Sequence, residues 1–214
     1  MFQIEMRFIL VDSALELVPK EIAKHPAVVK NAKKRNKRAE ETLLDVSLHH
    51  SAMKKLKESW KRGRPDIVHM CLLTILSDPL VKRDEVLVHT YDSKIIRVDP
   101  TTRIPKNYNR FVALIERLLV DGKVPSDGKP LLEVTGMTLA ELTQKNRLVL
   151  LDEKGELVPP KALCALEDCL IGVGAYPHGD FSDEVKSVSW ARYSIASATL
   201  EAHQALCRLI AHCY

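Results

Sequence analysis

Residues 169–179 have the composition of a ligand-binding loop. An apolar run leads into a segment that contains Gly172, Gly174 and Gly179. Strand-forming residues that run into glycines expose backbone at the carboxyl end of a strand, which is where α/β proteins bind ligands. The segment is therefore a candidate binding site. A tight connection between two elements explains the pattern equally well, because most glycine clusters are turns.

Three basic residues form a second candidate site. Arg103, Lys106 and Arg110 follow one another at three- and four-residue spacing, just before the apolar stripe of a helix predicted at 112–119. Cations near a helix N-terminus interact unfavourably with the helix dipole. The spacing therefore indicates that these side chains are presented to an anion. Ordinary surface positions are the alternative.

The charge of the chain is unevenly distributed. The 214 residues have a net charge of +4, but residues 30–64 contain twelve Lys or Arg and only four Asp or Glu. A basic block on an otherwise mildly acidic chain indicates a polyanionic partner. Residues 30–38, with six basic side chains, are predicted to form a mobile loop that orders on nucleic acid. A solvated lysine-rich face is the alternative.

The histidines and cysteines do not form a recognisable metal site. His49 and His50 are adjacent, so in a helix they point to different sides, which favours packing over a shared metal ion. Five cysteines lie in apolar contexts without CxxC spacing: Cys71, Cys164, Cys169, Cys207 and Cys213. We interpret them as buried or incidental thiols of a cytoplasmic protein. No apolar run approaches the roughly 18 residues of a membrane helix.

The elements that would position these residues alternate between strands and helices. Strands are predicted at 6–11, 67–76, 85–90, 95–98, 130–133, 147–151 and 169–171, and helices at 21–30, 112–119, 138–145, 163–168 and 200–214. The nearly all-apolar segment 67–76 is the strongest candidate for a central strand, and the two strands after it form a hairpin. The alternation predicts an α/β fold with a mostly parallel sheet. No GxGxxG or GxxxxGK[ST] motif is present, which disfavours the standard nucleotide sites.

Four segments in this order resemble one enzyme family: residues 43–56 (LLDVSLHHSAMKKL), 63–80 (GRPDIVHMCLLTILSDPL), 103–119 (RIPKNYNRFVALIERLL) and 171–181 (IGVGAYPHGDF). The chain is similar to the archaeal pseudouridine-N1-specific methyltransferases of small-subunit ribosome biogenesis. These enzymes form the nucleolar-essential-protein family of the SPOUT class. The GRPDI motif together with the downstream arginines is the specific part of the resemblance.

The resemblance implies a SPOUT α/β fold in one domain, 1–214, with a deep trefoil knot near the C-terminus, a rare exception to unknotted chains. It implies a basic RNA-binding region at about 30–64, a hairpin extension at about 84–100, and the knot and cofactor cleft at about 148–214. It further implies a homodimer, S-adenosyl-L-methionine as methyl donor and small-subunit ribosomal RNA as substrate. Ribosomal proteins of the small subunit are further candidate partners.

The site residues that the resemblance implies fall into two groups. The cofactor cleft would use one strand end, the glycine loop and the connection before the last helix: Leu150, Leu151, Gly172, Gly174, Gly179, Ile195, Ala196, Ser197, Ala198, Thr199 and Leu200. The RNA side would use Arg64, Asp66, Arg103, Lys106 and Arg110.

Asp66 is the predicted catalytic residue. Its carboxylate is a candidate to accept or orient the proton of the ring N–H that is methylated. An ion pair that holds Arg64 is an equally good interpretation. The predicted function is N1-methylation of a pseudouridine in 16S ribosomal RNA. A non-catalytic ribosomal-RNA-binding assembly factor of the same fold is the alternative, while a small-molecule α/β enzyme would leave the basic block unexplained.

Overall fold

An eight-stranded sheet forms the centre of the molecule. The computed structural model describes residues 6–79, 81 and 86–214. The strands are β1 (Arg7–Ser13), β2 (Val86–Thr90), β3 (Ile95–Val98), β4 (Lys123–Val124), β5 (Leu132–Thr135), β6 (Arg147–Leu157), β7 (Cys169–Gly174) and β8 (Ser189–Ser194). Their order is β4-β5-β3-β2-β1-β7-β6-β8. In this order, the neighbouring strands β2, β1, β7, β6 and β8 pair in parallel, and the strands β4, β5, β3 and β2 pair antiparallel. This confirms the mostly parallel α/β fold.

The part of the chain that the structure describes contains eight α-helices. They are α1 (Pro26–Lys34), α2 (Val46–Met53), α3 (Pro65–Ser77), α4 (Tyr108–Asp121), α5 (Leu139–Lys145), α6 (Pro160–Leu163), α7 (Asp183–Val188) and α8 (Ala202–Cys213). Helix α5, predicted at 138–145, begins with a capping box in which Thr138 and Glu141 satisfy each other's backbone N–H groups. None of the described helices is long and apolar enough to cross a membrane.

The central strands are apolar because both faces of the sheet are covered. β1 lies between β2 and β7, and Ile9 pairs with Gly172 on one side and Leu87 on the other. Phe8 and Leu10 contribute to the core on one face, whereas Ile9 and Val11 contribute to the core on the opposite face. Such two-sided burial produces continuous apolar runs instead of alternation.

The strand predicted at 67–76 is wrong, because this segment is part of helix α3. Pro65 occupies the first turn, where its missing N–H costs nothing. The buried side chains Val68, Cys71, Leu72 and Ile75 recur at three- and four-residue spacing. The helical period is not visible in the sequence, because residues on the other faces of the helix are also apolar. One of them, Met70, is exposed.

The mobile loop predicted at 30–38 is also wrong. Helix α1 includes the first part of this segment, and the residues after it are fixed by a buried carboxylate. Both oxygens of Glu116, which is fully buried, accept hydrogen bonds from Arg35 at 2.5 and 2.6 Å, and Lys37 donates a further one at 2.7 Å. Burial acts to raise the pKa of Glu116, but these cations outweigh it and the pKa is lowered. Two of the six cations therefore stabilise the fold.

The hairpin predicted at 85–90 and 95–98 corresponds to β2 and β3, with Glu85 outside the described residues. Because β2 also pairs with β1, the hairpin belongs to the main sheet.

The cysteines include one disulfide, which corrects the interpretation of all five as thiols. Cys164 after α6 is joined to Cys213 at the end of α8. Cys71 and Cys169 are buried thiols, as predicted, while Cys207 is an exposed thiol. The disulfide fastens the C-terminal helix to the segment that precedes β7.

Candidate active site

A cleft of about 530 Å³ opens beside the parallel half of the sheet. Four segments line it: the start of α3 at 64–70, residues 151–154 of β6, the end of β7 with the glycine loop at 173–181, and the connection from β8 into α8 at 193–205. Tyr193 of β8 pairs with both Leu151 and Glu156, so residues 152–155 of β6 form a bulge beside the cleft. The carboxyl end of β7 opens into it, as expected for a ligand site in a parallel sheet.

Most residues of the predicted cofactor cleft line this cavity: Leu151, Gly174, Gly179, Ile195, Ala196, Ala198, Thr199 and Leu200. Leu150, Gly172 and Ser197 do not. Leu150 and Gly172 are paired residues inside the sheet. A Cβ on Gly172 would lie 2.8 Å from the Leu150 side chain and 2.9 Å from that of Leu148. The absence of a side chain at Gly172 thus serves packing between two strands.

Glycine is required at positions 174 and 179 for two different structural reasons. A Cβ on Gly174 would lie 2.7 Å from the ring of Tyr176, which packs edge-on against Phe181 at 5.9 Å. Gly174 therefore allows the aromatic side chains of the loop to pack. Gly179 has φ +105°, a conformation that other residues rarely adopt.

Asp152 is a cleft residue that the sequence analysis missed. It follows Leu151 directly and is 8% exposed. Its Oδ1 accepts the backbone N–H of Lys154 at 3.0 Å. Its Oδ2 is buried without a hydrogen-bond partner among the described residues, and the nearest cation, Arg192, is 3.7 Å away. The sequence signal that identifies it is a carboxylate directly after the apolar run at 148–151.

A buried ionic cluster holds the glycine loop against the end of β1. Asp12 Oδ2 accepts a hydrogen bond from Lys61 Nζ at 2.9 Å, and the Asp12 carboxylate accepts two more from the N–H and hydroxyl of Ser182 at 2.6 and 2.7 Å. Lys61 also donates to the Asp180 carbonyl at 2.8 Å and lies 4.3 Å from the centre of the Tyr176 ring. Two segments far apart in the sequence thus converge on the loop.

Arg64 lines the mouth of the cleft and is held by Asp66. Its Nε and Nη2 donate to the Asp66 carboxylate at 2.8 and 2.7 Å, and this pairing raises the pKa of Arg64. Asp66 itself does not line the cleft. Of the two interpretations of Asp66, the ion pair with Arg64 is therefore present in the structure.

The segment that bears the other three cations is fastened beside α3. Arg103, Lys106 and Arg110 are exposed. His69 Nε2 lies 2.7 Å from the carbonyl oxygen of Pro105, and Tyr108 donates to Asp45 at 2.6 Å. Burial and this hydrogen bond raise the pKa of Tyr108. The charges of Asp66 and Arg64 also affect this pKa, so both side chains lie near the Tyr108 hydroxyl. The structure therefore brings the predicted arginine series to the side of the molecule that holds Arg64.

The basic region at 30–64 presents fewer cations than its sequence suggests. Lys61 and Arg62 are buried and paired with Asp12 and Glu16, and Arg38 is paired with Glu41. The exposed lysines without an ion pair among the described residues form two groups: Lys30, Lys33 and Lys34 on α1, and Lys54, Lys55 and Lys57 after α2.

Known proteins of one family resemble this chain along almost its whole length. The family model "EMG1/NEP1 methyltransferase" matches residues 8–214. "Ribosomal RNA small subunit methyltransferase Nep1" of Saccharolobus solfataricus is 52% identical over 210 residues, 97% of this chain and 96% of that protein. The protein of the same name from Staphylothermus marinus is 53% identical over 211 residues, 94% of this chain and 92% of that one.

A solved structure has the same architecture. The crystal structure of Archaeoglobus fulgidus Nep1 bound to S-adenosylhomocysteine matches with a TM-score of 0.91 and 38% sequence identity. The match covers 98% of this chain and 97% of that chain.

Proposed function

Because the chain belongs to the EMG1/NEP1 methyltransferase family, we propose that it transfers the methyl group of S-adenosyl-L-methionine to N1 of a pseudouridine in small-subunit ribosomal RNA. The observation that carries the proposal is the cleft of about 530 Å³, where a predicted cofactor site and Arg64 of the predicted RNA side meet. The relatives that are named as methyltransferases of small-subunit ribosomal RNA support the substrate class.

The residues of the cleft fit S-adenosyl-L-methionine. Leu151, Ile195 and Leu200 offer an apolar lining for the adenine ring. Asp152 Oδ2, which has no hydrogen-bond partner among the described residues, offers an acceptor for a hydroxyl or ammonium group. The related Archaeoglobus fulgidus structure was solved with S-adenosylhomocysteine, which supports this cofactor. When bound, the cofactor supplies an electrophilic methyl group for in-line displacement.

Positioning is the main contribution of the protein to such a displacement, since the attacking nitrogen must meet the methyl group at close range and in line. Arg64 at the cleft mouth would hold the target nucleotide, and the exposed Arg103, Lys106 and Arg110 would bind phosphates. The target base has to leave its stack to enter the cleft. The exposed lysines at 30–34 and 54–57 add a sequence-independent, salt-dependent contribution.

Asp66 has either of two tasks: it accepts the proton of the reacting ring nitrogen, or it orients Arg64. The second is favoured by its contacts, because Arg64 engages both carboxylate oxygens. Single-turnover methylation by Asp66→Asn separates the tasks. Proton acceptance predicts a lower methylation rate with RNA affinity kept, whereas orientation predicts weaker RNA binding. If both quantities equal those of the wild type, Asp66 has neither task.

Two measurements test the proposed function. Calorimetry should show binding of S-adenosyl-L-methionine, and methylation of one RNA hairpin should occur with pseudouridine but not with uridine at the target position. Arg110→Ala should weaken RNA binding and leave cofactor affinity unchanged. A protein that binds the hairpin but no cofactor would instead be a ribosome assembly factor, and activity without RNA would place the chain among small-molecule enzymes.

We also infer a single domain with a C-terminal trefoil knot, a homodimer and a cytoplasmic site of action. The match to the Archaeoglobus fulgidus chain over nearly all of its length supports the knot. The dimer and contacts with ribosomal proteins rest on the family resemblance. Light scattering of the purified protein tests the dimer, because a mass near 24.1 kDa would contradict it.

A further inference from the structure

A second cavity of about 260 Å³ adjoins the cleft. Arg64, Pro177 and His178 line both cavities and form the wall between them. The opposite side is formed by α2 and the turn after it, and includes Lys54 and Trp60. We propose that this second cavity holds one unstacked base of the RNA substrate, a neighbour of the target nucleotide, stacked on Trp60. The inference rests on the proposed function.

Trp60 is placed to stack with a base. Its side chain is 59% exposed at the edge of the cavity, although large aromatic side chains are usually covered. Its Nε1 lies 3.6 Å from the position of a Cβ on Gly179, so the indole stands against the glycine loop. This N–H makes no hydrogen bond to any residue in the described part of the chain. The indole therefore has a free face and a free donor next to a cavity.

The charges around the second cavity favour a polyanion over an apolar protein segment. Lys54 and two exposed histidines, His50 and His178, line it, and none of the described lining residues is acidic. The cleft on the other side of the wall differs, since its lining includes Asp152 and other carboxylates. Basic side chains beside an aromatic platform are the usual combination for single-stranded nucleic acid.

The position of the second cavity explains why a neighbouring base would need it. When a nucleotide turns out of its loop to reach the cleft, the adjacent base loses a stacking partner. Proteins that recognise RNA loops restore such stacking with aromatic side chains. The second cavity is separated from the cleft by one layer of side chains, and Arg64 faces both. A base held there would keep the target nucleotide turned out.

Fluorescence tests this directly, because the chain has only two tryptophans. In a Trp190→Phe variant Trp60 is the single reporter, and Trp190 lines neither cavity. Titration with the pseudouridine hairpin should quench the emission of Trp60. The quenching should disappear when one particular nucleotide next to the target is made abasic. In the reciprocal Trp60→Phe variant the emission of Trp190 should stay constant.

Affinity provides the second measurement. Trp60→Ala should weaken hairpin binding by about tenfold or more, the effect of losing one stacked base, and Trp60→Phe should restore most of it. Binding of S-adenosyl-L-methionine should not change in either variant, and Trp190→Ala should bind RNA as the wild type does. If the hairpin binds and is methylated, but the emission of Trp60 does not change and Trp60→Ala does not weaken binding, the inference is wrong and the proposed function stands. A response to ribosomal protein without RNA also overturns the inference, and a wild type that binds no RNA overturns both.

Discussion

Lys61→Met is the substitution with the clearest structural consequence. Lys61 and Asp12 form an ion pair at 2.9 Å, and both side chains are only 5% exposed. Removing one partner of such a pair leaves an uncompensated buried charge, which costs about 3 to 5 kcal/mol. For a chain of this length the melting temperature should fall by roughly 6 to 20 °C. Urea unfolding gives the free energy, and calorimetry gives the melting temperature.

The same substitution should weaken cofactor binding. Lys61 donates a charge-assisted hydrogen bond to the Asp180 carbonyl in the glycine loop, and bonds of this type contribute about 1.5 to 3 kcal/mol. Without it the loop that lines the cleft loses an anchor. We expect the dissociation constant for S-adenosyl-L-methionine to rise about tenfold or more.

Lys129→Met is the matched control. Lys129 and Asp99 form an ion pair at 3.0 Å, almost the same distance, but the Lys129 side chain is 82% exposed. Its loss should cost at most about 1 kcal/mol. The double variant Asp12→Asn/Lys61→Met should be more stable than Lys61→Met alone, because it no longer buries an unpaired carboxylate. Equal losses for Lys61→Met and Lys129→Met would refute the reasoning.

Three further changes have predictable effects. Gly155→Ala should destabilise the protein by about 1 to 3 kcal/mol, because its Cβ would lie 2.7 Å from the backbone of β8. In the control Gly136→Ala the new Cβ meets no atom within 4 Å, so the substitution should cost less than about 1 kcal/mol. Urea unfolding compares the two variants. Burial lowers the pKa of His89 below 6.5, so the unfolded chain binds the proton more readily than the folded chain. The free energy of unfolding should therefore fall as the pH drops below 6.5, by up to about 1.4 kcal/mol per pH unit. The variant His89→Gln should flatten this slope. Cys164→Ser should lower stability by about 4 kcal/mol through loss of the disulfide across 49 residues, and unchanged melting on reduction of the wild type would contradict that bond.

The fold was predictable wherever one local signal decided the element. The hairpin of β2 and β3 and helix α5 follow from short patterns that the structure reproduces. Helix α3 was missed because a helix that is apolar on most of its faces has the same composition as a strand buried on both sides. Its length and the proline at its start indicate a helix, since central strands are usually shorter than its 13 residues.

The family resemblance named cofactor residues in segments that the fold brings together, but it does not show the role of each residue. The resemblance implied the cofactor residues as one set, and eight of them line the cleft. Gly172 does not line the cleft, and a sequence cannot show which glycines face a ligand and which face a neighbouring strand. The basic block was overestimated for a related reason. The carboxylates that neutralise Lys61 and Arg35, Asp12 and Glu116, are 49 and 81 residues away in the chain.

Residues 60–64 show how the buried cations serve the exposed ones. Lys61 and Arg62 are held in the interior by Asp12 and Glu16, on β1 and in the segment that follows it. On either side of them, Trp60 lines the second cavity and Arg64 lines both cavities. A segment with only surface contacts could not fix two side chains relative to a cleft, because exposed ion pairs contribute little. The buried pairs fix this segment to the strand that also anchors the glycine loop. The surface proposed for RNA and the proposed cofactor cleft therefore share one rigid support.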